Sequence, residues 1–443
     1  MQEAKNLIEV ELLNKIKNKT AILGVVGLGY IGLPLAVEAA KAGFKTTGFD
    51  IQEKRVHWIN EGHNYIKDIL DVDLKKAVDE ELLQATSDFS LIKDVDAICI
   101  CVPTPLDIYQ QPDLSYVKIS TEIIAKYLHV GMLVVLESTT YPGTTEELMK
   151  PILEEKSGLK CGKGFFLAFS PERIDPGNLR YKISNTPRVV GGVSSYCTEV
   201  AASFYRQVLQ SEVHIVSSPK VAEMEKIYEN TFRNINIALA NEMAILCHRM
   251  DIDIWEVIEA AKTKPYGFMP FYPGPGIGGH CIPLDPFYLT WKAREYNFHT
   301  RLIELAGEIN RNMPEYIVER IAKILSKKLK KSINGAKVLL LGVAYKKDID
   351  DLRESPALEI IKKLEEENAV VSYYDPYIPN FANNGRKYKS LRELNEEEIK
   401  ERDIVIIITD HSTINYEEVV KNAKIVFDTR NVIKFKSKKV EKL

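Results

Sequence analysis

The chain has 443 residues, of which 45% are hydrophobic and 27% charged, with a formal net charge of −3. That balance leaves no electrostatic footprint for a nucleic-acid partner, and no apolar run approaches the ~20 residues that a membrane-spanning helix needs. The length fits two or three domains of ordinary globular protein.

Residues 1–20 alternate acidic, basic and aliphatic side chains as an amphipathic helix does, without the apolar core of a signal peptide. The six cysteines, at 99, 101, 161, 197, 247 and 281, are scattered and show no metal-ligand spacing. The expectation is a reduced, cytoplasmic protein without a metal site.

Residues 21–26 form a short apolar run of strand type. It enters Gly27-Leu28-Gly29-Tyr30-Ile31-Gly32, and residues 33–43 then carry a helical apolar pattern. A second strand over 45–49 ends at Asp50, 18 residues past Gly32. G-x-G-x-x-G between a strand and a helix, with an acid closing the next strand, is the dinucleotide-binding fingerprint. Gly27 allows the tight turn, Gly29 admits a diphosphate, and Gly32 lets helix pack on strand. The helix N-terminus then faces the phosphates. Asp50 suits the ribose hydroxyls and repels a 2′-phosphate, which favours NAD over NADP. Arg55 either meets adenine or phosphate or is a solvated helix residue.

Further strands over 95–102, 133–137 and 165–169 follow in the alternating order of a doubly wound parallel sheet. Ligands meet such sheets at the carboxyl ends of the strands. There stand Thr104 between two prolines, Thr139 after Ser138, and the neighbours Glu172 and Arg173. The hydroxyls serve a ligand or a turn. Glu172 and Arg173 are a general base with an anion contact, or an exposed turn.

Residues 219–250 turn helical, and Lys226, Asn230 and Arg233 share one face at i, i+4 and i+7. That face suits an oxyanion or a sugar as well as it suits solvent. A second helical stretch, 298–329, is expected to break near Pro314. Two long helices between α/β domains point to a homo-oligomer built on a dimer. Between them, residues 274–286 pack four glycines and three prolines into thirteen positions, which excludes a regular helix or strand. This loop presents Cys281 with His280 beside it and Asp285 four residues on. Only a thiolate attacks, and positive charge or N–H dipoles favour it. The alternatives are an activated nucleophile and a buried, inert thiol.

After a polar break at 330–335, a strand over 337–343 leads through Lys346 and Lys347 towards Arg353. Ser355 reads as a helix cap and Pro356 as the first helical residue. Strands over 370–375, 404–409 and 425–428 complete a second parallel layer without the glycine fingerprint. Lys346, Lys347 and Arg353 at its strand end suit a second phosphate group. The expected fold is therefore α/β, with two Rossmann-like doubly wound parallel-sheet domains, 1–216 and 331–443, joined by a central helical domain, 217–330.

Seven blocks in this order resemble the UDP-glucose/GDP-mannose dehydrogenase family. They are Gly27 to Gly32, Pro103-Thr104-Pro105, Ser138-Thr139, Pro171-Glu172, Lys226 with Asn230, Gly278-Gly279-His280-Cys281, and Lys346-Lys347-Asp348 with Arg353-Glu354-Ser355. The resemblance implies oxidation of a nucleotide sugar's primary alcohol to a carboxylate with two NAD, through a cysteine-bound intermediate. It implies Cys281 as nucleophile, Lys226 and Asn230 as oxyanion or proton partners, and Asp285, Thr139 and Glu172 as the groups that place and activate water. Cofactor contacts are implied for the glycines, Tyr30, Ile31, Asp50, Arg55, Thr104, Thr139 and Arg353. Contacts to a UDP-sugar are implied for Arg173, Ile174, Lys226, Asn230, Arg233, Tyr272, Gly276, Gly278 and Lys346.

In the enzymes of this family that act on UDP-glucose, the cysteine follows a serine and precedes a lysine by three. Here those positions hold His280 and Leu284. Residues 263–273 look most like enzymes acting on UDP-N-acetylglucosamine, and the His-Pro-Arg run of N-acetylmannosamine enzymes is absent. UDP-N-acetylmannosamine and UDP-glucose are the alternative substrates. A single-step dehydrogenase and a non-catalytic NAD-sensing protein are the rival functions.

Overall fold

The computed structural model describes residues 7–107, 109–175, 177–178 and 180–443. The first six residues of the expected N-terminal helix and Pro176, after the 165–169 strand, lie outside the described residues; the helix itself is Leu7–Lys17. The chain divides into two compact units: Met1–Glu229 with Phe287–Phe298, and Asn230–Pro286 with His299–Leu443. Among the described residues no helix is long and apolar enough to cross a membrane.

The first unit is built on eight strands: β1 (Leu23–Val26), β2 (Thr46–Phe49), β3 (Leu83–Thr86), β4 (Ala97–Ile100), β5 (Leu133–Leu136), β6 (Phe166–Phe169), β7 (Arg188–Gly192) and β8 (Val213–Ile215). Their order is β3-β2-β1-β4-β5-β6-β7-β8, and only β6 and β7 pair antiparallel. Strand order reverses between β1 and β4, and it is at the carboxyl ends of two such strands that a sheet of this kind takes its ligand. Alternate residues enter the two flanking cores. Val25, Cys99 and Val135 go to one, and Val26, Ile98 and Val134 to the other. Burial on both faces is why these strands are continuous apolar runs in the sequence.

The second unit carries β9 (Lys337–Leu341), β10 (Val370–Tyr374), β11 (Asn380–Asn383), β12 (Arg386–Lys389), β13 (Ile404–Ile407), β14 (Val426–Asp428) and β15 (Val440–Lys442). The main sheet runs β10-β9-β13-β14-β15 with parallel neighbours throughout. Val338 and Leu340 face one core while Leu339 and Leu341 face the other. The β11–β12 hairpin is an addition to the expected elements. Its turn is Asn384-Gly385 with φ of 48° and 78°, the positive-φ pair that such a two-residue turn demands.

Each sheet closes its second strand with an aspartate that holds the loop after the first. Asp50 accepts the Leu28 N–H at 2.9 Å, and Asp375 accepts those of Val343 and Ala344 at 2.7 and 3.0 Å. Asp375 also accepts the Tyr377 and Ile378 N–H groups and lies 3.1 Å from His411 Nε2, so its carboxylate is fully spent on the protein.

The long helices are Pro219–Arg249 and Arg301–Ile324. The expected break at Pro314 does not occur, and the helix runs through it. A proline inside a helix costs ~3 kcal/mol. Met313, Ile317 and Ile321 around it are fully buried in the second unit's core. Each contributes about 1.5–3 kcal/mol by burial, which outweighs the lost hydrogen bond.

Candidate active site

In the first unit the Gly27–Gly32 loop sits at the β1 carboxyl end. A Cβ on Gly32 would stand 1.8 Å from the Gly27 carbonyl oxygen, so the close approach of helix Gly32–Lys41 to the loop needs a glycine. A Cβ on Gly29 would meet nothing within 4 Å, which leaves that face of the loop open for a diphosphate. Asp50 is buried, and its carboxylate accepts the Leu28 and Gln52 N–H groups. Arg55 Nη1 donates to Asp50 Oδ2 at 3.3 Å. Arg55 is thus paired with Asp50 rather than simply solvated, and its guanidinium stands beside the acid of the fingerprint. Tyr30 is exposed and Ile31 half-buried on the same loop. These residues fit NAD, with the Asp50 carboxylate placed against a 2′-phosphate.

Asp50→Ala is expected to weaken NAD by roughly 10- to 100-fold in kcat/KM, the loss of a charged hydrogen-bond acceptor. It should also admit NADP, because Arg55 is released to meet the 2′-phosphate. Steady-state kinetics with both cofactors check this, and an unchanged NAD/NADP ratio would remove Asp50 from the cofactor site.

The next strand ends carry the other first-unit candidates. Thr104 is buried, and its carbonyl accepts the Tyr288 hydroxyl. Ser138 Oγ donates to the Val102 carbonyl at 2.7 Å, and Thr139 beside it is half-buried. The loop beyond is fixed by Glu223 of the long helix. That carboxylate accepts Gly143 N–H at 2.5 Å, Thr145 N–H at 2.9 Å and Thr145 Oγ at 2.7 Å, and burial still pushes it up to about 7. One turn on, Lys226 Nζ donates to the Glu172 carbonyl at 2.6 Å and lies 3.7 Å from Glu172 Oε2. Lys226 and Glu172 are 6% and 5% exposed, so this is a buried pair and not the exposed turn that the sequence also allowed.

Arg173 does not point into open space either. Its guanidinium is held by Glu229 and Glu225 of the long helix and by the Pro187 carbonyl. Ile174 packs on the first unit's core.

In the second unit, asparagines of the long helix pin the Gly/Pro-rich loop at three points. Asn241 Oδ1 accepts the Gly274 N–H at 2.9 Å, Asn234 Nδ2 donates to the Ile282 carbonyl at 3.0 Å, and Asn230 Nδ2 donates to Asp285 Oδ2 at 2.6 Å. Asn310 braces the ladder by bonding both Asn234 and Asn241. Gly279, at φ +86°, has the Tyr345 ring where a Cβ would stand, and donates its N–H to the Arg353 carbonyl. Gly276 and Gly278 abut Pro356 and Tyr345 in the same way.

Cys281 is half-buried and forms no disulfide. Its carbonyl accepts the Leu284 and Asp285 N–H groups, so it stands at the head of the turn opening helix Asp285–Ala293. A helix N-terminus favours a thiolate. His280 adds no positive charge, because burial and then Arg353 pull its imidazole below the ordinary value. Of the two features beside the thiol, the helix N-terminus and not the neighbouring imidazole is the one suited to favour a thiolate.

Four further candidates, Arg233, Tyr272, Arg353 and Lys346, belong to the second unit. Arg233 is exposed, although its spacing put it on the face of Lys226 and Asn230. Tyr272 stacks on Trp255 and donates to Glu259. Arg353 chelates Asp351 through Nε and Nη2, and Lys346 is half-buried in the loop after β9. Asn234, Asn241 and Asn310 were not anticipated, although the asparagines at 230, 234 and 241 lie on one helical face.

The open fingerprint loop with its acid, together with a second Rossmann-like sheet, defines an NAD-binding α/β protein. The chain matches the UDP-glucose/GDP-mannose dehydrogenase family in three parts: the NAD binding domain over residues 21–209, the central domain over 220–312 and the UDP binding domain over 339–435. It belongs to that family. It is 40% identical over 356 residues to UDP-N-acetyl-D-glucosamine 6-dehydrogenase of Pseudomonas aeruginosa, covering 80% of this chain and 83% of that one. It is 36% identical over 418 residues to UDP-N-acetyl-D-mannosamine dehydrogenase of Pyrococcus horikoshii, covering 93% and 96%. A solved structure of a UDP-D-ManNAc dehydrogenase from Pyrococcus horikoshii superposes with a TM-score of 0.86 at 35% identity, over 95% of this chain and 98% of that one.

Proposed function

We propose that the chain oxidises the C6 alcohol of a UDP-N-acetylhexosamine, UDP-N-acetylglucosamine by preference, to the uronic acid. The observation that carries this reading is Cys281 at a helix head, in a loop pinned by the asparagine ladder, with the buried Asn230–Asp285 pair on the same turn. When bound, NAD takes up the hydride that leaves C6 in each of two oxidations.

Lys226 stabilises the alcohol oxygen as its proton departs. The Cys281 thiol adds to the resulting aldehyde: a C–S bond forms and the sulfur's proton ends on oxygen, giving a thiohemiacetal. Loss of that hydroxyl proton with the second hydride leaves a thioester, whose oxygen Asn230 and Lys226 polarise. Glu172 takes a proton from water placed by Asp285 and Thr139, the C–S bond breaks, and the acid leaves with the thiol restored. Covalent capture keeps the reactive aldehyde from escaping between the steps.

The UDP-sugar is assigned to the backbone of residues 272–278 with Arg173, Ile174, Arg233 and Lys346. The N-acetyl group is supported by His280 and Leu284 in place of the serine and lysine of UDP-glucose enzymes, and by the substrates named for the relatives. A homo-oligomer is proposed from the exposed apolar stripe Val221, Met224, Tyr228, Phe232, Leu239 and Leu246 along the long helix. A screen of UDP-N-acetylglucosamine, UDP-N-acetylmannosamine and UDP-glucose tests the assignment. Two NADH per sugar and an acid product are expected with the first. Preference for either other sugar would overturn the substrate, and one NADH with a carbonyl product would overturn the mechanism.

A further inference from the structure

Beneath the Glu172–Lys226 pair lies a second pair that the reaction as written does not use. Glu137, at the end of β5, is fully buried and Arg188, at the start of β7, is 3% exposed. Arg188 Nη2 donates to Glu137 Oε2, and Tyr205 donates its hydroxyl to Glu137 Oε1 at 2.5 Å. The Arg188 guanidinium also lies 4.8 Å from the Tyr205 ring centroid. Its Nη1 donates to the Pro171 carbonyl at 3.0 Å. Pro171 immediately precedes Glu172, whose own carbonyl receives Lys226.

We propose that Arg188, clamped by Glu137, is a positioning residue for the Glu172–Lys226 pair: it fixes the loop that carries Glu172 and supplies the second countercharge that lets Glu172 serve as a base. The inference rests on the reading of Glu172 given above. Two buried acids and two buried cations form a closed set, because a lone buried charge is far costlier than a balanced cluster. Burial pushes the Glu172 carboxyl above its ordinary value, Lys226 and Arg188 pull it down, and Glu137 pushes it up. The other titratable groups there are Cys99, Cys101 and Tyr205, held protonated by burial, and Glu225, which burial and Glu229 push up to about 7 while Arg173 and Lys226 pull it down. Glu172 Oε1 is buried without a hydrogen-bond partner, so one oxygen of the carboxyl is left for chemistry while the other faces Lys226.

The test compares Arg188→Met, Glu137→Gln, the double variant and Arg188→Lys with the wild type. The readout is the acid limb of the rate of NADH formation with the nucleotide sugar that the wild type prefers. Arg188→Met should move that limb upward by on the order of one pH unit, the effect of losing one nearby opposite charge. Glu137→Gln should move it downward, and the double variant should fall between them. Arg188→Lys keeps the charge but loses the fork that bridges Glu137 and the Pro171 carbonyl, so it should lower kcat with the limb in place. Infrared titration of the Glu172 carboxyl, with Glu172→Gln as the blank, reads the same shifts without turnover. It decides the matter even where one variant folds poorly or the wild type oxidises no sugar. Limbs and carboxyl titrations coincident with wild type, alongside lowered melting temperatures, would make the pair merely structural and overturn the proposal. Absence of two-NADH turnover in the wild type would instead fall on the catalytic reading.

Discussion

Cys281→Ser is expected to end acid formation while leaving NAD binding intact. The two side chains differ by one atom, so the loop pinned by Asn230, Asn234 and Asn241 should keep its shape. The hydroxyl, however, lacks the accessible anion that makes a thiol nucleophilic at a helix head. A loss of at least ~1,000-fold in acid formation, about 4 kcal/mol of barrier, is the expected scale. The substitution leaves the nucleotide fingerprint and Asp50 unchanged, so the dissociation constant for NAD should not move. Quantifying acid by chromatography beside calorimetric NAD binding checks both halves. Normal turnover at two NADH per sugar in this variant would remove Cys281 from the reaction.

Lys226→Met carries the second large effect, and it reads out in two ways. Removing one donor to a developing oxyanion typically costs ~3–4 kcal/mol, or roughly 100- to 1,000-fold in kcat. The substitution also strips Glu172 of a countercharge and leaves its carbonyl without the lysine. That is a loss of about 1–3 kcal/mol in stability by the cost of unsatisfied buried groups. The pH dependence has a definite sign. Burial already raises Glu172 in the folded protein, so the fold binds that proton more tightly than the unfolded chain does. Stability from this group therefore falls as pH rises above the unfolded value of about 4.3 and on through the folded value. Without Lys226 the folded value rises further, so the gap in melting temperature between variant and wild type should be wider at pH 8 than at pH 5. A gap that narrows with rising pH, or a kcat within about threefold of wild type, would contradict the assignment.

What the sequence made legible was local. The Gly27–Gly32 turn, Asp50 at the end of β2 and the Ser355 cap with Pro356 are each set by a handful of neighbouring residues, and they fold as their spacing dictates. The strand ends bearing Thr104, Thr139 and Glu172 were legible for the same reason, since an apolar run ends where its chemistry begins. What stayed hidden was long-range. Asn241 meets Gly274, Asn230 meets Asp285, and Glu137 meets Arg188 across 33, 55 and 51 residues. Nothing in helical periodicity distinguishes an asparagine that pins a loop from one that faces water. Arg173 belongs with these: its place beside a candidate base suggested an anion contact, and its pairing with two glutamates of the long helix was not legible. Pro314 shows packing overriding propensity, because a helix whose inner face is fully buried tolerates one missing N–H.

The most direct test of the account is the mass of the enzyme caught in the act. In Glu172→Gln, hydrolysis should become the slow step, so NADH should appear as a burst approaching two per active site and then stall. Acid quenching at that point and digestion should yield the Cys281 peptide carrying the acyl group of the nucleotide-sugar acid, labile to hydroxylamine as a thioester is. An unmodified Cys281 peptide from an enzyme still producing acid would contradict the covalent route.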